Sequence, residues 1–171
     1  MRARFIFGGL ALVVVALVAL VARKEQVLAH GSPVLLELAP VDPRSLMQGD
    51  YMVLNYAISR EVRSFDSDIA RPDTEDGRLV LRLDENGVGR FVRFDTPGTP
   101  LAPGEQLLRY KVRKGRVRLG AESFFFQEGQ ADHYTGAKYG ELRVAGDGSS
   151  VLVGLRNAER QPLGAPRNDA G

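Results

Sequence analysis

The chain has no cysteine, so it has no disulfide framework, no thiol nucleophile and no thiolate for a metal. Histidine is nearly as scarce. His30 and His133 are the only two, and His30 lies beside an apolar run near the N-terminus. There is no HExxH string for zinc, no GxSxG elbow and no glycine-rich phosphate loop. Gly146-Asp147-Gly148 lacks the strand-to-helix setting of a dinucleotide site and reads as a hairpin turn. His133 beside Asp132 is too small a set for a metal. Excess charge of one sign is also missing from most of the chain. Lys and Arg number 23 against 21 Asp and Glu. Four of those cations and one of the anions lie in residues 1–30, which leaves the rest one charge negative. A near-neutral domain is a poor nucleic-acid binder, and no cofactor is expected. Helical periodicity is absent from every long window after residue 30.

One long apolar run is present. Phe5 to Ala22, FIFGGLALVVVALVALVA, is eighteen residues without a charge or proline. As a helix it would be roughly 27 Å long, close to a hydrocarbon core of about 30 Å. A cleaved signal peptide has a shorter apolar region, and the best cleavage triplet, Val27-Leu28-Ala29, falls after Arg23, Lys24 and Glu25. A buried core helix would carry a polar face, and this run has none. The expected reading is an uncleaved signal-anchor in the lipid bilayer. Arg2 and Arg4 nearly balance Arg23 and Lys24, so charge alone sets orientation weakly. A long following domain translocates largely regardless of such charges, which favours a domain outside the cytoplasm. The organisation expected is a basic flank (1–4), the span (5–22), a juxtamembrane linker (23–32), a β domain (33–156) and a disordered tail (157–171).

Strand signals fill the domain. Short apolar or alternating runs occur at 34–38, 51–58, 79–83, 88–94, 108–113, 116–119, 122–127, 139–144 and 151–155. Turn residues separate them, notably Asn86-Gly87, Lys114-Gly115 and Gly146-Asp147-Gly148. The fold class expected is mainly β, an antiparallel β-sandwich or a partly open barrel after one transmembrane helix. Either a short helical turn at 43–48, from an Asp42 cap, Pro43 and the exit glycine Gly49, or a plain Asp-Pro turn is expected, and a second helical turn near 130–138.

Gly49-Asp50-Tyr51-Met52-Val53-Leu54-Asn55-Tyr56 spells G-D-Y-x-x-L-x-Y. With the lead-in Pro40 to Arg44, the ESFFFQEG run at 122–129 and the stretches 137–144 and 151–155, it resembles the GDYXXLXY protein family over roughly residues 33–156. The resemblance implies a single-span bacterial inner-membrane protein with a β-rich domain outside the cytoplasm, accompanying a multi-spanning membrane protein. It supplies no catalytic residue. On a strand, Met52, Leu54, Tyr56 and Ile58 share an apolar face that should meet the core, with the Tyr56 hydroxyl needing a partner. Tyr51, Val53 and Asn55 point the other way. The string either fixes a turn and register, through Gly49 and Asp50, or lines a partner groove with Asp50, Tyr51 and Asn55.

A turn at Lys114-Gly115 would set Arg113 opposite Arg116 and Lys111 opposite Arg118, with Arg109 on the same face. Like charges opposed across a sheet are unfavourable. Either solvent and acids on the next strand offset them, or the face meets an anion such as a lipid headgroup or an acidic partner. In the second case the acidic residues Asp66, Asp68, Asp73, Glu75 and Asp76 would lie elsewhere. The function expected is a membrane-anchored interaction or accessory module rather than an enzyme. The alternative is an envelope hydrolase acting on glycan or lipid-linked substrate through two of the carboxylates Asp42, Asp50, Glu122 and Glu128.

Overall fold

In a computed structural model, residues 2–39, 47–48, 51–65, 74–113 and 116–164 are described. The apolar run forms helix α1 (Arg2–His30). Within it, Phe7–His30 contains an 18-residue window of mean hydropathy 2.1, none of which is buried by the rest of the chain. Leucines and valines on all sides of this segment are exposed, among them Leu10, Leu12, Val15 and Leu20. A helix apolar all round that the fold leaves bare needs an apolar solvent. Among the described residues it is the one helix long and apolar enough to cross a membrane.

The expected linker at 23–32 is not a separate segment. Arg23 to His30 continue the helix, and strand β1 (Ser32–Glu37) begins two residues later. Gly31 makes the junction, its N–H donating to the Val27 carbonyl at 2.9 Å. A Cβ there would collide with that carbonyl oxygen and come within 3.0 Å of the Val144 nitrogen, so only glycine fits. Arg143 Nη1 donates to the Gly31 carbonyl at 3.3 Å, and Val27 is buried against the domain.

The remaining strands are β2 (Met47–Gln48), β3 (Tyr51–Val53), β4 (Thr74–Leu83), β5 (Gly89–Phe94), β6 (Glu105–Arg113), β7 (Arg116–Leu119), β8 (Ser123–Phe125), β9 (Tyr139–Val144) and β10 (Ser150–Arg156). They form three antiparallel sheets, ordered β1-β9-β10, β2-β3-β8 and β5-β4-β6-β7. Single bridges knit the sheets at their corners, Leu35 to Val88 and Leu38 to Tyr56. The result is a curled half-barrel, the more open of the two architectures expected. Inside it the period of two puts apolar side chains on one face of each strand. Val34 and Leu36 of β1, Leu79 and Leu81 of β4, Leu108 of β6 and Leu142 of β9 have no solvent exposure. Each such leucine contributes roughly 1.5–3 kcal/mol of transfer free energy.

The structure corrects four expectations. The strand expected over 51–58 ends at Val53, and Ile58 begins a helix, α2 (Ile58–Phe65). Ile58 and Val62, four apart, are buried on one side of it, a signal too short to stand out in a long window. The helical turn expected over 43–48 is a strand at its end, because Met47 and Gln48 pair with Met52 and Tyr51. Residues 42–46 lie outside the described set. The second turn is present as one 3₁₀ segment, Ala131–Tyr134. The tail expected to be disordered from 157 is ordered through 164, and residues 165–171 lie outside the described residues. Asn157 to Gly164 fold back instead, with the Leu163 N–H donating to the Leu155 carbonyl at 2.9 Å and Pro162 bridging Arg156. Finally, Asp76 is not in a remote acidic loop. It lies on β4 directly opposite Lys111, and Glu75 lies opposite Val112. Asp66, Asp68 and Asp73 are outside the described residues.

Candidate functional site

The motif strand does what its alternation predicts. Met52, Leu54, Tyr56 and Ile58 are all buried, each 2–5% exposed, while Asn55 is exposed and Tyr51 and Val53 are half-buried. Tyr56 donates its hydroxyl to the Ala121 carbonyl at 3.0 Å. Burial, with the Glu122 carboxylate nearby, pushes that hydroxyl well above the ordinary tyrosine range. It stays protonated and serves as a structural donor. Gly49 and Asp50 lie outside the described residues, so the groove expected from Asp50 is not on view.

Leu54, Asn55 and Tyr56 form one wall of a cleft of about 630 Å³. Ser59 and Arg60 of α2 form a second wall, and Arg116 to Leu119 of β7 a third. Glu122 sits at the rim. The motif and the basic hairpin, read from the sequence as separate features, therefore meet. Tyr51 is not among the cleft's lining residues; its ring lies 5.6 Å from that of Phe125, on the neighbouring β8.

The hairpin register is the expected one, Arg113 opposite Arg116 and Lys111 opposite Arg118. Acids on neighbouring segments offset the charge, the first of the two outcomes considered. Asp76 accepts from Arg113 at 3.0 Å and stands 3.9 Å from Lys111. Arg118 pairs with Glu122 at 2.8 Å, and Arg109 with Asp147 at 2.7 Å. Asp147 also accepts from the Ser149 hydroxyl and N–H. These two bonds, helped by Arg109, hold its carboxyl below the usual aspartate value. Among the described residues, Arg60 and Arg116 meet no carboxylate. The cleft thus carries two uncompensated guanidinium groups above an apolar and amide floor, an arrangement suited to an anionic group.

The paired carboxylates of the hydrolase alternative are not assembled among the described residues. Glu122 is committed to Arg118, Glu128 is exposed in the turn after β8 and is not part of the cleft lining, and Asp42 and Asp50 are outside the described set. No group of three or more His, Asp or Glu that could hold a metal comes together among the described residues. Sequence reasoning missed Ser59 and Arg60. The Ile58 and Val62 spacing that orients α2 was the signal for them.

A protein-family model described as GDYXXLXY protein matches residues 13–155. Neither a curated protein nor a solved structure matches the chain.

Proposed function

Because the chain belongs to the GDYXXLXY protein family, we propose that it is a single-pass anchored interaction module of the bacterial inner membrane. Its β domain lies outside the cytoplasm and docks on a multi-spanning membrane protein. The cleft between β3, α2 and β7 receives an acidic loop of that partner, with Arg60 and Arg116 as the cations that meet no carboxylate among the described residues. The observation that carries this reading is the junction at Gly31. The bare apolar helix enters the β domain without a flexible tether, so the domain is presented to neighbours in the membrane at a fixed height and angle. A rigid mount lowers the ordering cost of docking on another integral protein. An enzyme acting on diffusing substrate gains little from it.

The test is affinity purification of the full chain in mild detergent after light cross-linking. A membrane protein with several spans should accompany the wild type and be lost from the Arg60→Glu/Arg116→Glu variant, with the variant's Tm unchanged. Recovery of the wild type alone, under conditions that keep other envelope complexes intact, would sink the proposal. A C-terminal reporter active only in the cytoplasm would sink the placement.

A further inference from the structure

A second cleft among the described residues lies where α1 leaves its apolar run. About 970 Å³ in volume, it is bounded by Arg23, Lys24 and His30 of α1 and by Arg109, Asp147 and Ser149 of the domain. Leu20 and Val27 close its apolar side. Its height follows from helix geometry. The uncharged run ends at Ala22. His30 is eight residues further on, roughly 12 Å along the axis. The headgroup layer on each side of a bilayer is on the order of 5–8 Å thick. The cleft therefore opens at the level of lipid phosphates, with Leu20, 62% exposed, reaching down into acyl chains.

Its charge is positive. Arg109 is matched by Asp147, and Asp147 is fully engaged by Arg109 and Ser149. Arg23 and Lys24 meet no carboxylate among the described residues, and neighbouring Glu25 is not part of the cleft lining. One wall thus offers two free cations and a histidine, and the lower edge offers hydrocarbon. A small soluble anion would use the first feature and not the second. An amphiphile with a negative headgroup uses both.

We infer that this cleft holds the headgroup of one anionic phospholipid, with Arg23 and Lys24 on its phosphate and Leu20 beside its chains. The lipid fills the angle between helix and domain and braces the tilt that the Gly31 junction sets. The site is independent of the β3–α2–β7 cleft and stands or falls without it.

Native mass spectrometry of the full chain, released from nanodiscs of mixed phosphatidylglycerol and phosphatidylcholine, tests this. The wild type should retain one phosphatidylglycerol, enriched over its bulk share. Arg23→Gln/Lys24→Gln should lower the enrichment by on the order of fivefold for each cation removed. Arg109→Gln, which leaves the anchor untouched and exposes Asp147, should lower it as well. Arg116→Gln should not change it. Retention of the two lipids in bulk proportion by the wild type would overturn the inference, as would full enrichment in both the double variant and Arg109→Gln. Displacement of the bound lipid by millimolar inorganic phosphate would overturn it too, by making the ligand a free anion.

Discussion

At the β4–β5 end of the four-stranded sheet, Arg78, Arg82 and Arg93 converge on two carboxylates that are nearly out of water. Asp95 is 7% exposed and Glu105 is 5% exposed, at 2.8 Å from Arg78 and 3.2 Å from Arg93. At the β6–β7 end, Arg109, Lys111, Arg113 and Arg118 meet Asp147, Asp76 and Glu122, which are 48–56% exposed. The two ends share residue types and strand geometry. They differ in the solvation of the acceptor. A carboxylate held in a pocket of arginines is part of the fold, because removing its partners leaves it uncompensated. A carboxylate half in water gains little from its arginine partners. The first end is therefore structural, and the second contributes little to the fold.

The widest test of this contrast is Glu105→Ala against Asp76→Ala. Glu105 also accepts the Ala102 N–H at 3.0 Å, so its loss frees a backbone donor together with Arg82 and Arg93. Thermal melts should show the largest fall of the set for Glu105→Ala and almost none for Asp76→Ala. Equal falls would erase the distinction between the two ends.

Acid should weaken the same end. The Ala102 N–H, with Arg93 and Arg82, holds the Glu105 carboxyl below its ordinary value. A carboxyl lowered in the folded state contributes stability above its unfolded value of about 4.3, and that contribution fades as pH drops through the lower folded value. Tm should therefore decline below about pH 4, and Glu105→Gln should flatten the decline. A Glu105→Gln curve parallel to wild type would assign the acid response to other groups.

Behind the β6–β7 end, Tyr56→Phe measures how far the floor of the cleft is structural. The substitution leaves the Ala121 carbonyl without its buried donor, so a loss of about 1–2 kcal/mol in denaturant unfolding is expected. A loss under a few tenths would mean that water replaces the hydroxyl. The smallest effect belongs to the pair Arg118–Glu122. A double-mutant cycle should return ~0.2–1 kcal/mol, falling with added salt. A coupling several times larger would make this end structural as well.

Much of this was legible beforehand because it is local. Leu54 and Tyr56 turn inward and Asn55 outward through the period of two, and the two-residue separation of β6 from β7 puts Arg118 opposite Lys111 through residue count alone. Helix α2 was not legible. Eight residues with two apolar anchors do not form a stable helix by themselves, and the core they pack on supplies most of its stability. Nor was the fold-back of residues 157–164, which rests on main-chain bonds to β10 that leave little trace in side-chain pattern. The cleft was only half visible, since Asn55 and Arg116 are brought together by pairing of strands far apart in sequence.

The chain by itself determined one helix apolar enough to cross a membrane and the grain of the β domain. An uninterrupted apolar run sets the first, and alternating side chains choose their face wherever a strand forms. Tertiary structure alone decided which cations keep their carboxylates, that Gly31 joins the apolar helix to the domain, and that the motif and the basic hairpin line one cleft. The physical reason is range. Hydrophobic periodicity acts over a few neighbouring residues, whereas an ion pair forms only when groups remote in the chain come within about 4 Å, and only the folded whole sets how much water lies between them.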